Sequence, residues 1–245
     1  MDETHDQVVL VTGAGRGLGR ALASAFAARG AILALSDVTP ITLDAALDEI
    51  VAQGARARDY LADPGKYMPS ENLVDQVWRD WGRIDVLVNA AAVRPQAAAL
   101  ELDEWDFRRA LEVNLTGAFF LTKLAGRLMR QQGGGAIVNF PAPLPSPARL
   151  DQYPDLPAGF ERQAAFLASK HGLTGLTLAA AADLAPYNIR VNAVCPPTFA
   201  AGLDPDASLA DMHASPAGRW VIETTLACCH PVGFTGQVFE WPRPA

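Results

Sequence analysis

Residues 8–19 read Val8-Val9-Leu10-Val11-Thr12-Gly13-Ala14-Gly15-Arg16-Gly17-Leu18-Gly19, an apolar run that stops in a glycine-rich turn. The run predicts a short buried strand, and Leu18 to Ala28 then repeats Ala and Leu at helical spacing. Strand, glycine loop and helix in that order open a dinucleotide-binding unit. The glycines permit a tight turn, let the backbone approach a pyrophosphate and bring the helix close to the sheet. The helix then offers its first N–H groups, and the positive end of its dipole, to phosphate. Ala31 to Ser36 is a second apolar run, followed by Asp37 at the spacing where a carboxylate accepts hydrogen bonds from a ribose 2′-hydroxyl and repels a 2′-phosphate. Arg16 would favour such a phosphate, but a carboxylate beside a dianion costs more than an exposed arginine gains. NAD is therefore expected over NADP, with Gly13, Arg16, Gly17, Leu18, Gly19 and Asp37 as cofactor-binding residues.

The rest of the chain repeats this alternation. Helices are expected over Thr42 to Gln53, Asn72 to Trp81, Leu102 to Gln131 and Glu161 to Leu184, with a last helix following Pro216. Strands are expected over Ala57 to Leu61, Asp85 to Asn89, Ala136 to Phe140, Ile189 to Val194 and Gln237 to Phe239. Strands that are apolar throughout, separated by helices, predict a parallel sheet covered on both faces. The expected fold class is α/β: one doubly wound Rossmann domain over residues 1–245, with a seven-stranded sheet in the order 3-2-1-4-5-6-7. Residues 141–157, PAPLPSPARLDQYPDLP, break the rhythm. Their prolines forbid a regular helix or central strand and predict a loop at the sheet edge where ligands bind.

Composition narrows the function. The 245 residues carry a net charge of −7 and half are apolar, which suits one domain with a full core and argues against nucleic acid as the main partner. Three cysteines, two of them adjacent, make no disulfide framework and fit a reducing cytosol. The polar, acidic start MDETHDQ does not read as a signal peptide, and no apolar stretch reaches the length of a membrane helix. A cytoplasmic protein with no membrane, nucleic-acid or metal partner is expected.

Together these segments resemble the short-chain dehydrogenase/reductase family. Thr12 to Gly19 matches its TGxxxGxG pattern, and Asp63 matches its adenine-side acid. Asn89-Ala90-Ala91 resembles its NNAG segment, with Ala90 and Ala92 in place of the second Asn and the Gly. Asn114 in VNLTG matches the active-site asparagine, NIRVNAVCP over 188–196 its sixth strand and exit, and Thr235-Gly236-Gln237 its TGQ segment. The resemblance implies hydride transfer between a nicotinamide and an alcohol or carbonyl. In the family a Tyr exchanges the substrate proton, a Lys four residues on lowers the Tyr pKa and holds the nicotinamide ribose, a Ser orients the substrate oxygen and an Asn supports a proton relay.

The resemblance fails at the chemistry. The YxxxK segment is Phe166-Leu167-Ala168-Ser169-Lys170, so Phe166 stands at the Tyr position, and the Ser position falls on Ala142 in Val138-Asn139-Phe140-Pro141-Ala142. Pro197 stands where glycine is usual, and Ala201 where a threonine is usual. Lys170 and Asn114 remain as catalytic candidates, and Asp63, Asn89 and Lys170 join the cofactor-binding set. Tyr153 in the proline-rich loop is the candidate for a replacement acid, with Asp151, Ser146 and Glu161 behind it; an ordinary loop aromatic is the plainer reading. His171 points about 100° away from Lys170 around the helix and reads as surface or interface. Tyr187 reads as structural, and Cys228 and Cys229 as buried small apolar residues. Residues 198–216 read as a shortened substrate lid.

Two functions follow. One is an NAD(H)-binding oxidoreductase acting on an alcohol, ketone or acyl thioester with a non-standard or impaired site. The other is a catalytically silent subunit that pairs with an active relative. A non-redox elimination or isomerisation in the same pocket is a third. A homo- or hetero-oligomer, dimer or tetramer, is expected through the helices at 102–131 and 161–184.

Overall fold

Strand β1, Val8–Thr12, is buried at every position, and its pleat divides the core in two. Val9 and Val11 face one layer and Val8 and Leu10 the other, because successive side chains leave a strand on opposite sides. The computed structural model describes residues 5–142, 162–197 and 209–241. Around β1 lie β2 (Ile32–Asp37), β3 (Ala57–Leu61), β4 (Val86–Asn89), β5 (Gly135–Asn139), β6 (Ile189–Cys195) and β7 (Val238–Glu240). All six pairings are parallel, and the order is β3-β2-β1-β4-β5-β6-β7, as the alternation of elements predicts.

Helices α1 (Gly17–Ala27), α2 (Pro40–Ala52) and α8 (Pro216–Cys228) cover the Val9 and Val11 face through Leu22, Phe26, Leu43, Ile50, Val221 and Ile222. Helices α3 (Tyr67–Trp81), α5 (Ala118–Gln132) and α6 (Ala164–Leu184) cover the other through Leu73, Val77, Leu121, Met129 and Ala181. Helix α4 (Glu104–Leu111) and the short α7 (Leu209–Ala214) complete the set.

Three expectations change. Helix α3 starts at Tyr67, ahead of the expected Asn72, because Pro69 falls in its first turn, where no N–H is needed. The single helix expected over 102–131 is two, α4 and α5, joined by a π-helical turn at Glu112–Gly117. Asp103 starts α4 by accepting the Trp105 N–H at 2.7 Å. Helix α6 starts at Ala164, and Glu161 lies outside the described residues, as do Ser146, Asp151, Tyr153, Ala201 and most of the 141–157 and 198–216 segments. Cys195, Cys228 and Cys229 are buried free thiols. Among the described residues no helix is long and apolar enough to cross a membrane, and no cluster of His, Cys, Asp and Glu could hold a metal.

Candidate active site

The carboxyl ends of β1, β2, β4, β5 and β6 open onto one cleft of about 490 Å³, running from Asp37 to Phe166. Doubly wound sheets bind ligands at this edge, where the strand order reverses between β1 and β4. The glycine loop forms its floor. Gly13 has φ +68°, and a Cβ there would lie 2.7 Å from the Ala91 Cα. A Cβ on Gly19 would lie 2.0 Å from the Gly13 carbonyl oxygen. Helix α1 begins with no side-chain cap, so its opening N–H groups are left to whatever lies in the loop. A cradle with no room for side chains and with uncapped donors fits a pyrophosphate.

Asp37 is held hard against this loop. Its Oδ2 accepts the Gly15 N–H at 3.0 Å, and its Oδ1 accepts the N–H groups of Val38 at 2.7 Å and Thr39 at 3.1 Å. The carboxylate therefore has a fixed position on the cleft wall. Asp63 has a different setting. Ala62 and Pro64 line the cleft, while Asp63 is gripped by Arg109, with Nη2–Oδ1 at 3.0 Å and Nη1–Oδ2 at 2.9 Å. It also accepts the Gly65 N–H at 3.0 Å. Arg109 itself lines the cleft, and no motif in the sequence marks it.

Asn89, expected on the cofactor, is buried within the sheet, and the cleft wall is built by Ala90 to Arg94 instead. The Asn89 amide donates to Asn139 Oδ1 at 2.8 Å, and Asn139 Nδ2 donates to Thr177 Oγ1 at 3.0 Å. This ladder ties β4, β5 and α6 together beneath the cleft. Asn114, in the π-helical turn, does the same above it. Its Oδ1 accepts the Val93 N–H at 2.8 Å, and its Nδ2 donates to the Val93 carbonyl at 2.9 Å and to Ser169 Oγ at 2.9 Å. Asn114 thus fixes the strand that follows β4 against α6. A π turn inside a helix is often found at functional sites.

Phe166, Ala142 and Lys170 all line the far end of the cleft; the i, i+4 spacing puts Phe166 and Lys170 on one helix face, and Ala142 follows β5. Around them the described wall is Ala92, Val93, Arg94, Phe140, Pro141, Pro196 and Pro197, with no hydroxyl. The hydroxyls on the wall belong to Thr12, Ser36 and Thr39, on or beside β1 and β2. Lys170 is buried and donates from Nζ to the Phe140 carbonyl at 2.7 Å, bracing the end of β5 against α6. Its Nζ lies 5.7 Å from the Phe166 ring centre. The Arg94 guanidinium lies 5.4 Å from the same centre, and its Nε donates to the buried Gln163 at 3.1 Å. Ala97 pairs with Gln163 in an isolated parallel bridge, which fixes the Arg94 segment to the start of α6. Arg94 escaped the sequence reading, although its place just past the end of β4, on the ligand edge, was a usable signal.

Burial pushes the Lys170 amine down from its ordinary 10.5 to about 8. The sign of the consequence is definite. Between pH 8 and 10.5 the unfolded chain binds the proton that the folded chain releases, so Lys170 costs stability at neutral pH and the cost fades as pH rises. Lys170→Met is expected to unfold at a higher temperature than the parent at pH 7, by an amount equivalent to about 2 kcal/mol, with the difference closing towards pH 10. Thermal melts of both proteins across that range check it.

The model of the family described as short chain dehydrogenase matches residues 7–210. An uncharacterised oxidoreductase of Thermotoga maritima is 38% identical over 192 residues, covering 78% of this chain and 71% of that one. A D-threitol dehydrogenase of Mycolicibacterium smegmatis is 35% identical over 190 residues, covering 78% and 69%. The solved structure of an NAD+-bound xylitol dehydrogenase superposes with a TM-score of 0.78 at 30% identity, over 97% of this chain and 98% of that one. The chain belongs to the short-chain dehydrogenase family.

Proposed function

We propose that the chain binds NAD(H) in the cleft and acts on a small alcohol or ketone through a site that has lost its proton-transferring hydroxyls. The observation that carries this is the contrast between the two ends of one cleft. At one end the glycine cradle and a fixed Asp37 remain, and at the other the wall is Phe166 and Ala142. NAD(H), when bound, gives or takes the hydride. Gly13, Gly17 and Gly19 would hold its pyrophosphate, Asp37 the adenosine ribose, and Lys170 the ribose at the reactive end. The names of two similar proteins, a D-threitol and a xylitol dehydrogenase, favour a small polyol or its ketone.

A second reading is the silent subunit. It is favoured by the lack of a hydroxyl among the described residues around Phe166 and Ala142, and by a groove of about 550 Å³ between α5 and α6, lined by Phe119, Gly126, Leu176, Ala180 and Leu184. These helices are the ones expected to form an oligomer. Calorimetry with NAD+ and NADP+, and a turnover screen of the isolated chain against polyols and ketones, separate the two. Binding with slow turnover supports the first, binding without turnover the second, and no binding removes the first and leaves the second.

Asp37→Ser is expected to weaken NAD+ at least tenfold relative to NADP+, since hydrogen bonds to a charged acceptor are worth about 1.5–3 kcal/mol. The same calorimetry reads it. An unchanged preference would remove Asp37 as the discriminating group.

A further inference from the structure

Lys170 has an environment unlike that of the other amines of the chain. It is 4% exposed, yet it lines the cleft at the Phe166 and Ala142 end. Its hydrogen bond is to one backbone carbonyl, that of Phe140, and no carboxylate lies within salt-bridge distance among the described residues. An ammonium ion has three donors and wants a counter-charge, and a buried one without them is costly. Phe166 offers only a ring face, 5.7 Å from Nζ, a weak partner for a cation beside the carboxylate or hydroxyls that burial would call for. Cys195 of β6, which acts on Lys170 electrostatically, has its own thiol pushed up to about 12 by burial, so it stays neutral and adds no counter-charge. An amine in such a place is held in its neutral, nucleophilic form at mildly alkaline pH, the condition under which lysines attack carbonyl carbon.

We propose that Lys170 is a nucleophilic amine that condenses reversibly with small aldehydes and ketones entering the cleft at the Phe166 and Ala142 end. The nitrogen lone pair adds to the carbonyl carbon while the C–O π pair moves onto oxygen. A proton passes from nitrogen to that oxygen through solvent, and the carbinolamine loses water to leave a C=N bond. Water adding back returns amine and carbonyl. No oxidant, reductant or nucleotide takes part, so the condensation does not need NAD(H); the same amine would face the ribose when NAD(H) is bound, and the test is run without nucleotide. It also gives Lys170 a role that the bracing of β5 against α6 does not.

The composition makes the test clean. The chain has three lysines, Lys66, Lys123 and Lys170. Lys66 is exposed and paired with Glu112 at 2.9 Å, and Lys123 is exposed beside the Tyr67 ring. Both serve as internal controls in one tube. The full-length protein is treated at pH 8 with propionaldehyde and cyanoborohydride, which fixes the imine as a propyl amine, and the digest is followed by mass spectrometry. A lysine of ordinary pKa is only about 0.3% neutral at pH 8. Lys170 is expected to be propylated at least tenfold faster than Lys66 or Lys123. At pH 10 that advantage is expected to narrow, because the surface lysines then also lose their protons. Lys170→Arg, which keeps the charge and removes the amine, is expected to lose the fast adduct with an unchanged circular dichroism spectrum. Propylation of Lys170 at or below the rate of the two surface lysines overturns the proposal, as does an equally fast adduct in the arginine variant.

Discussion

Phe166→Tyr combined with Ala142→Ser is expected to raise NAD+-linked oxidation of an accepted alcohol by about 10²–10⁴-fold over the parent, the serine adding up to about 10² within a correlated pair. The site is already built to receive the hydroxyls. Phe166 lines the cleft on α6, one turn from Lys170, whose Nζ is 5.7 Å from the ring centre. A phenol on that ring would sit beside the amine, and a nearby ammonium favours the phenolate and lowers the phenol pKa. Ala142 follows β5 on the same wall and is buried, so a serine hydroxyl there faces the cleft or finds no partner. Steady-state kinetics on the substrate found in the turnover screen read the gain. A double variant that folds, binds NAD+ and turns over no faster than the parent would show that the missing hydroxyls are not what limits this protein.

Gly19→Ala is expected to destabilise the fold by about 3 kcal/mol or more, an effect of overpacking against an atom that cannot move aside. The obstacle is main chain. A Cβ on Gly19 would lie 2.0 Å from the Gly13 carbonyl oxygen and 2.6 Å from its carbon. Gly13 is itself held, at φ +68° against the Ala91 backbone, so the loop has nowhere to retreat. A melting point lowered by roughly 6–12 °C is expected. NAD+ binding should fall with it, because the helix start and the loop move apart. Gly54→Ala makes a useful comparison: Gly54 has φ +86° but nothing within 4 Å of a Cβ, so its cost is backbone strain alone. Equal melting points for the two variants would mean that the close approach at Gly19 is not what holds the loop.

Much of this site was legible as text. The unbroken apolar run of β1 and the glycines after it required a buried strand and a tight turn. Asp37 fell at the end of β2 where its carboxylate could close on the Gly15 N–H. The i, i+4 spacing of Phe166 and Lys170 placed both on one face of α6, and the structure brings both to the cleft. For Asn89 the resemblance names a position and says nothing of direction. Its side chain turns into the sheet to meet Asn139, and the backbone after it forms the wall.

The sequence by itself determined the alternation of apolar strands and helices that makes a doubly wound parallel sheet, and that Ala and Phe stand at 142 and 166, because local periodicity suffices for the first and residue identity for the second. Only the tertiary structure decided that Arg109 clamps Asp63, that Arg94 lies over the Phe166 ring, and that Lys170 is buried with a single carbonyl for company. Each of these depends on residues far apart in the chain converging on one point. The environment that decides whether an amine is charged or nucleophilic is a property of that convergence.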